Sequence, residues 1–136
     1  MRLLIDTNLF VYLNANIDDE LAERLDRFYA ELVRENEAYT NVLVLDELIH
    51  VSKRKYGGVS YPETISFIED VVLPAVRVLP ITFEDYLTAK EIILKYHLRP
   101  SDALHAATIQ NNGLQAIVSE DEDFDKLPIK RLWLEV

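Results

Sequence analysis

Acidic side chains stand at four separated places in this 136-residue sequence. Asp6 ends the short apolar run 3–5, and Glu47 lies between apolar residues in a stretch of helical character. Asp102 stands at the start of another such stretch, and the acidic segment 119–124 follows a third apolar run. If folding brings these places together, the carboxylates can form a cation site, because a buried acid is costly unless it is paired or bound to a metal.

The chemistry open to such a cluster follows from the ligand type. Carboxylate oxygens are hard donors that suit Mg²⁺ or Mn²⁺, and a bound cation reverses the local field so that a phosphate group can approach. The net charge of -10 and the pI near 4.7 argue against tight, non-specific binding of a phosphate backbone by Lys and Arg. The chain has no cysteine, which excludes disulfides, thiolate metal sites and cysteine nucleophiles.

A regular alternation of strands and helices would bring the four acidic places to one edge of a sheet. We predict strands at 3–5, 38–40, 76–79, 116–118 and 131–134. We predict helices at 9–13, 19–36, 42–56, 61–73, 83–96 and 102–112. This order predicts a three-layer α/β/α fold with a central five-stranded parallel sheet and right-handed crossovers. Asp6 then lies at the carboxyl end of the central strand, where such sheets place their chemistry.

Polar residues that precede the predicted helices are expected to cap them. Asn41 and Thr82 stand before two helical stretches, and Ser101 is expected to cap the last predicted helix. Ser60 and Glu63 match a capping box, in which each side chain binds a backbone N–H of the other residue.

Each acid also has a purely structural explanation. Asp6 can form a turn and cap the next helix, and Asp102 can interact favourably with a helix amino terminus. Either Glu47 or its neighbour Asp46 can be drawn inward or stay exposed, and the segment 120–125 can be a solvated acidic loop. A catalytic or metal-binding role is favoured over a purely structural one, because four such positions, far apart in sequence, fall at element ends that are expected to meet.

The length and composition predict one domain over residues 1–136. The chain is 49% hydrophobic and 28% charged, with only 3 Gly and 5 Pro, which is typical of a compact globular protein. No apolar run approaches the length of a membrane span, and the acid at position 6 interrupts the apolar segment that a signal peptide needs. We therefore expect a cytoplasmic protein with no membrane partner, in agreement with the absence of cysteine.

Four motifs, taken in order, resemble those of the PIN domain family. They are Asp6-Thr7-Asn8 after an apolar strand, Glu47 in the helix after Thr40-Asn41, the run SDALHAA at 101–107, and the pattern S-x-D-x-D-F at 119–124. The resemblance covers almost the whole chain. It implies a five-stranded parallel sheet flanked by helices, and metal-dependent cleavage of RNA.

The resemblance also implies roles for individual acids. Matched by position, the catalytic residues are Asp6, Glu47, Asp102 and Asp121, and the metal ligands are these four together with Asp123. The implied cofactor is Mg²⁺ or Mn²⁺. Asp6 and Asp102 are expected to bind the ion directly, and the other acids directly or through water. Asp121 and Asp123 remain alternatives for the fourth acid.

Five polar residues near these motifs are expected to support the site. Thr7, Asn8 and Ser119 can orient ligands or bound waters, although local turn and cap hydrogen bonding explains them equally well. His50 and His105 are expected to pack or form hydrogen bonds beside the site. A di-iron site built on their acid-x-x-His pairs is disfavoured, because it needs two more glutamates in an all-helical core.

The resemblance implies three kinds of partner. Many small members of the family are toxins of toxin-antitoxin pairs, which implies an RNA substrate and a cognate antitoxin protein. Many members also form dimers, and a homodimer surface is expected at Phe28, Tyr29 and residues 61–73. The cations at 53–55 and Arg99 are candidate RNA contacts, although ordinary surface charge is the favoured interpretation.

The alternative function is a PIN-like module that binds RNA or protein without cutting. Four acids held close together repel one another, and a pure binding role gains nothing from that repulsion. The same crowding predicts that, without metal, at least one of the acids binds a proton more readily than an isolated carboxyl group does.

Overall fold

The computed structural model describes residues 1–134, and its centre is a five-stranded parallel sheet. The strands are β1 (Arg2–Ile5), β2 (Glu37–Asn41), β3 (Arg77–Leu79), β4 (Ala116–Val118) and β5 (Lys130–Leu132). They lie in the order β3-β2-β1-β4-β5, and every neighbouring pair is parallel. The predicted α/β fold and its five strands are confirmed, although β5 ends two residues earlier than the predicted residue 134.

Within residues 1–134, six α-helices connect the strands. They are α1 (Thr7–Asn14), α2 (Asp19–Glu35), α3 (Val42–Arg54), α4 (Tyr61–Phe67), α5 (Phe83–Tyr96) and α6 (Pro100–Asn111). A π-helical segment, Ile68–Val72, continues α4, so the helix predicted to run to residue 73 consists of two segments of different pitch. A 3₁₀ helix, Glu122–Lys126, takes the place of an open acidic loop. None of these helices is long and apolar enough to cross a membrane.

Side-chain caps explain where three of the helices begin. Asn41 Oδ1 accepts a hydrogen bond of 3.0 Å from the backbone N–H three residues on, and Thr82 forms a reciprocal capping box with Asp85. Ser60 Oγ accepts from the N–H of Glu63 at 3.3 Å, but the Glu63 carboxylate accepts from the Ser60 hydroxyl at 2.8 Å. The predicted capping box is therefore only half formed at this helix.

The prediction that Ser101 caps α6 is wrong. The helix begins at Pro100, and the N-cap is Arg99, whose side chain makes no capping hydrogen bond. Proline suits the first helical position because its fixed φ is already helical and an N–H there would have no partner in the helix. Ser101 and Asp102 therefore both lie in the first turn, where an acid interacts favourably with the helix dipole.

The helices cover both faces of the sheet. Alternate residues of β1 point to opposite faces, so Leu3 and Ile5 belong to one apolar cluster and Leu4 belongs to the other. The first cluster is completed by α1, α2, α3 and the π-helical segment, and includes the fully buried Phe10. The second is completed by α5, α6 and the fully buried Phe124. The sheet is therefore the middle of three layers, as predicted.

Of the two α2 residues expected on a dimer surface, Tyr29 lies in the interior of the fold and Phe28 is partly buried. Tyr29 is buried in the first cluster and donates its hydroxyl hydrogen to the Val71 carbonyl at 2.9 Å. Phe28 is partly buried and packs edge-on against Trp133, with 6.0 Å between ring centres. For Tyr29 the prediction is wrong, because helical spacing identifies an apolar face but not what covers it. Apolar side chains in the range 61–73, such as Ile65 at 47% exposure, do remain exposed.

Strand order brings the acidic motifs to one edge of the sheet. The Asp6 N–H donates to the Val118 carbonyl at 3.0 Å, so Asp6 stands where β1 and β4 end side by side. The chain places β2 and β3 on one side of β1 and then β4 and β5 on the other, and open α/β sheets form a crevice at such a switch. The start of α3 after β2 and the segment after β4 border the same crevice.

Candidate metal centre

Asp6 stands at the middle of the site, and both of its carboxylate oxygens are held. Oδ1 accepts from the backbone N–H of Thr7 at 2.7 Å, and Oδ2 accepts from the Ser119 hydroxyl at 2.7 Å. Asp6 is 7% exposed, and Ser119 is fully buried. The carboxylate of Asp6 therefore has a fixed orientation, while each oxygen keeps a lone pair for a further partner.

Glu47 is the acid of α3 that is drawn into the site. Its Oε1 accepts from Thr7 Oγ1 at 3.1 Å and lies 2.8 Å from His105 Nε2. Asp46 is exposed and pairs with His50 at 3.2 Å, and His50 lines an open depression together with Glu47. Burial raises the pKa of Glu47, but the hydrogen bonds from His105 and Thr7 outweigh it and hold the pKa below its ordinary value.

His105 connects the first two acids, as expected for a residue beside the site. Its ring is fully buried, and Nε2 lies 2.8 Å from Glu47 Oε1 and 3.7 Å from Asp6 Oδ1. Nδ1 lies 3.0 Å from the side-chain nitrogen of Asn41. Burial lowers the pKa of His105, but the Glu47 hydrogen bond and the charges of Asp6 and Asp102 outweigh burial and raise the pKa above its ordinary value.

Asp102 lies in the first turn of α6 and is only 8% exposed. Burial raises its pKa, the guanidinium of Arg99 opposes this rise, and the charges of Asp6 and Asp121 add to it, so that the pKa lies above its ordinary value. The prediction that at least one acid binds a proton more readily is therefore confirmed, with burial as a larger cause than repulsion between the acids.

Asp121 and Asp123 both reach the cluster. Asp121 caps the 3₁₀ helix by accepting from the Asp123 N–H at 2.9 Å, and its own N–H donates to Ser119 Oγ at 3.1 Å. Asp102, Asp121 and Asp123 each offer one carboxylate oxygen, and these three oxygens lie within 4.8 Å of one another. Glu120 points elsewhere, because it accepts from the Tyr12 hydroxyl at 3.0 Å. The two alternatives for the fourth acid thus lie in the same place.

The guanidinium of Arg99 bridges two of these acids. Its Nε lies 3.2 Å from Asp102 Oδ2, and its Nη2 lies 2.9 Å from Asp121 Oδ2. The Arg99 side chain is 72% exposed and borders an open depression of about 320 Å³ lined by Glu47 and residues 99–102. An exposed cation therefore balances charge at the open side of the cluster.

Within residues 1–134, no hydrogen bond or ion pair joins Asn8 or the cations at 53–55 to the acids of the cluster. The Asn8 side chain forms no hydrogen bond within the described part of the chain. The cations at 53–55 belong to the end of α3, roughly 10 Å along the helix axis from Glu47. Lys53 Nζ lies 4.2 Å from the ring centre of Tyr61. Arg54 nevertheless lines the same open depression as Glu47.

The residues that converge here fit a hard divalent cation. The available donors are carboxylate oxygens, which suit Mg²⁺ or Mn²⁺, whereas softer ions prefer nitrogen or sulfur ligands. Both ring nitrogens of His105 already have partners, Asn41 and Glu47, so this imidazole is not a free ligand.

Asn41 is the residue of this region whose contacts the sequence does not reveal. It was predicted only as the cap of α3, yet its side-chain nitrogen also lies 3.0 Å from His105 Nδ1 and 3.0 Å from Thr108 Oγ1. The sequence does indicate that His105 lies on the same face of α6 as Asp102, because residues three apart share one face of a helix. It does not indicate that Asn41 meets His105 there.

Fold and site together define a family. The sequence model of the PIN domain family matches residues 3–130, and this chain belongs to that family. Ribonuclease VapC13 of Mycobacterium tuberculosis is 33% identical over 135 residues, which cover 96% of this chain and 98% of that protein. The resemblance carried by the four motifs is thereby confirmed.

Solved structures share the fold at lower sequence identity. VapC20 of Mycobacterium tuberculosis, described as a sarcin-ricin loop cleaving toxin, matches with a TM-score of 0.75 at 19% identity, over 93% of this chain and 95% of its own. VapBC2 from Rickettsia felis, solved with a DNA fragment from its promoter, matches with a TM-score of 0.74 at 18% identity, over 98% of both chains. At such identities the likeness concerns the fold.

Proposed function

We propose that this protein is a divalent-metal-dependent endoribonuclease, in which residues 1–136 act as one catalytic domain that hydrolyses RNA phosphodiester bonds. The observation that carries the proposal is the meeting of acids from α3, from α6 and from the ends of β1 and β4 at one edge of the sheet. A relative that is 33% identical over almost the whole chain is named a ribonuclease, which supports the same activity here.

The ion that suits this donor set is Mg²⁺ or Mn²⁺. Asp6 and Asp102 would hold it directly, and Glu47, Asp121 and Asp123 would bind it directly or through water. When bound, such an ion lowers the pKa of a coordinated water and offsets the negative charge on the phosphoryl oxygens.

The protein's own groups prepare the site for a cation. The Thr7 N–H and the Ser119 hydroxyl keep the Asp6 carboxylate oriented. Burial raises the pKa of Asp102, and a bound cation would oppose that rise because it favours the ionised form. The lowered pKa of Glu47 keeps that carboxylate charged before the cation arrives.

Arg99 is the residue best placed to contact the RNA backbone. Its guanidinium is exposed at the depression and now occupies Oδ2 of both Asp102 and Asp121. If a cation held those acids, the guanidinium would be available to the RNA backbone, and its planar fork suits two phosphate oxygens at once.

The proposal includes a role as the toxin of a toxin-antitoxin pair in the cytoplasm, where the RNA substrate is. The similar VapC20 is described as a toxin, and the similar VapBC2 was solved on DNA from its promoter, which supports a cognate antitoxin partner. We also propose a homodimer, with the exposed apolar side chains of 61–73 as the remaining part of the expected surface.

Cleavage of an RNA panel tests the proposed function. Wild type is compared with Asp6→Asn in Mg²⁺, in Mn²⁺ and in EDTA, and Glu122→Gln serves as a control because Glu122 is an exposed acid of the 3₁₀ helix. We expect cleavage by wild type and the control in both ions, and none in EDTA or by Asp6→Asn. RNA that stays intact in both ions, while the folded wild type still binds it, would establish the non-catalytic binding module instead.

A further inference from the structure

We propose that Asn41 and His105 are positioning residues that hold the Glu47 carboxylate in its working orientation. The inference rests on the proposed function, because it assigns the means by which one of the acids is aimed. It concerns three side chains from two helices and one strand end, all linked by buried hydrogen bonds.

The hydrogen bonds of Asn41 determine which nitrogen of His105 carries a hydrogen. Asn41 Oδ1 accepts from the Val44 N–H at 3.0 Å, so the other side-chain atom is the NH₂ group, which donates. One hydrogen goes to Thr108 Oγ1, whose own hydroxyl donates to the Leu104 carbonyl at 2.9 Å. The second hydrogen faces His105 Nδ1 at 3.0 Å, so Nδ1 accepts and the ring hydrogen lies on Nε2.

This assignment fixes how Glu47 is held. The Nε2–H of His105 donates to Glu47 Oε1 at 2.8 Å, and Thr7 Oγ1 donates to the same oxygen at 3.1 Å. Both hydrogen bonds end on Oε1, and within residues 1–134 the second oxygen, Oε2, has no hydrogen-bond partner. Oε2 is therefore the oxygen that remains for a cation or its water, and rotation of the carboxylate would break two bonds.

Burial makes the arrangement specific. Asn41, His105 and Thr108 have no solvent exposure, and no buried side-chain nitrogen or oxygen in the described residues lacks a partner. If the ring carried its hydrogen on Nδ1, two donors would face each other at Asn41, and a bare Nε2 would face the charged Glu47 carboxylate. Such buried mismatches are costly because water cannot replace the lost bonds.

The first experiment reads the ring directly in wild type. Long-range ¹H–¹⁵N correlation spectra of the metal-free protein distinguish a hydrogen on Nε2 from one on Nδ1, and they are recorded above the raised pKa of His105 so that the ring carries a single hydrogen. We expect His105 to show a protonated Nε2 and an unprotonated Nδ1. A hydrogen on Nδ1 with a bare Nε2 would overturn the inference without any variant being made.

The second experiment uses two matched variants, His105→Gln and His105→Asn. The amide of Gln reaches the position of Nε2 and can still donate to Glu47, whereas the shorter Asn reaches only the position of Nδ1. We expect Mn²⁺ affinity, measured by electron paramagnetic resonance of the free ion, to fall about 10- to 100-fold for His105→Asn and only a few-fold for His105→Gln. Equal losses for both folded variants would mean that His105 is merely structural.

Two further variants test whether the effect passes through Asn41 and Glu47. Asn41→Ser keeps a capping oxygen for α3 but is too short to reach His105, so we expect a mixture of ring forms and weaker Mn²⁺ binding. In a Glu47→Ala background, His105→Asn should cost no further affinity, because residues that act through one another are not additive. Losses that multiply in the double variant would contradict the inference.

The two proposals can fail separately. Ring form and Mn²⁺ affinity are measured without RNA, so an absence of cleavage by wild type would overturn the proposed ribonuclease alone. Normal cleavage together with a hydrogen on His105 Nδ1, or with equal effects of the matched variants, would overturn the positioning role alone.

Discussion

The two sides of the acidic cluster are held in different ways. In the interior half, Asp6 and Glu47 accept from donors that are themselves buried, namely Thr7, Ser119 and His105. In the arginine half, made of Asp102, Asp121, Asp123 and Arg99, the one guanidinium that binds two of the acids is 72% exposed.

The donors of the interior half orient carboxylates, whereas the guanidinium of the arginine half balances their charge. Hydroxyl and backbone donors of the interior half can stay in place when a cation binds, since they occupy only part of each carboxylate. The guanidinium of the arginine half is itself a cation at the acids and must compete with any metal there. The comparison therefore predicts that changes in the interior half weaken metal binding, while loss of Arg99 strengthens it.

The largest effect on cleavage is expected when a single acid is removed, either from the interior half or from the arginine half. We expect Asp6→Asn and Asp102→Asn to lower the rate of RNA cleavage roughly 100-fold or more, because changes around metal ligands alone cost about 10- to 100-fold. Circular dichroism should remain native. Cleavage rates in Mg²⁺ and Mn²⁺ provide the measurement, and full activity of either variant would remove that half from the catalytic site.

Metal should stabilise the folded protein. An ion that binds only the folded form at about one hundred times its Kd contributes roughly 2.7 kcal/mol, which should raise the melting temperature by several degrees. Asp102→Asn removes a ligand and a charge together, so its apo form should melt at or above apo wild type and respond far less to Mn²⁺. Thermal melts that coincide for wild type with and without Mn²⁺ would exclude a metal site.

The stabilisation by Mn²⁺ should depend on pH, and the direction of that dependence follows from the pKa of Asp102. Because the folded-state pKa of Asp102 is raised, its contribution favours folding below the ordinary carboxyl pKa and is lost as pH rises through the folded-state value. The gain from Mn²⁺ should therefore grow as pH increases through the mildly acidic range. A gain that shrinks over this range, in melts at several pH values, would contradict the assignment of Asp102.

A change within the interior half should have an intermediate effect. Ser119→Ala removes the donor to Asp6 and the acceptor of the Asp121 N–H, so we expect Mn²⁺ affinity to fall about tenfold or more. Ser66→Ala, at an exposed position of α4, is the matched control and should bind like wild type. Equal affinities for the two variants would show that the buried hydroxyl does not orient Asp6.

Loss of the arginine should give the smallest effect and the opposite sign. Exposed ion pairs contribute about 0.2–1 kcal/mol, so Arg99→Gln should lower the Kd for Mn²⁺ roughly two- to fivefold. The same variant should lower kcat/KM for RNA, because the candidate phosphate contact is gone. Arg34→Gln, far from the cluster on α2, is the control, and weaker Mn²⁺ binding by Arg99→Gln would refute the competition.

Sequence patterns identify the acids but not their partners. Asp6 and Asp102 stand at element ends, and caps, glycines and apolar runs mark such ends in the sequence, whereas Glu47 lies within α3. The contacts of Asn41 with His105 and Thr108 join residues 64 and 67 positions apart, and no local pattern carries that information.

The wrong predictions for the start of α6 and for the exposure of Tyr29 each have a specific cause. Ser101 is a favourable cap residue in isolation, but Pro100 suits the first helical turn and moves the start of α6 toward Arg99. Tyr29 was predicted to be surplus on the surface because the residues that cover it, such as those of the π-helical segment, come from a distant part of the sequence.

The position of β1 has a consequence for the order of synthesis. Asp6 is made 113 positions before Ser119, whose hydroxyl donates one of the two hydrogen bonds that orient it. At the usual elongation rate of about 5–20 residues per second, several seconds separate the two residues on the ribosome. Pairing of such distant strands is also slow, because a long loop must close first. The nascent chain therefore carries its first acid long before it can carry an assembled catalytic centre.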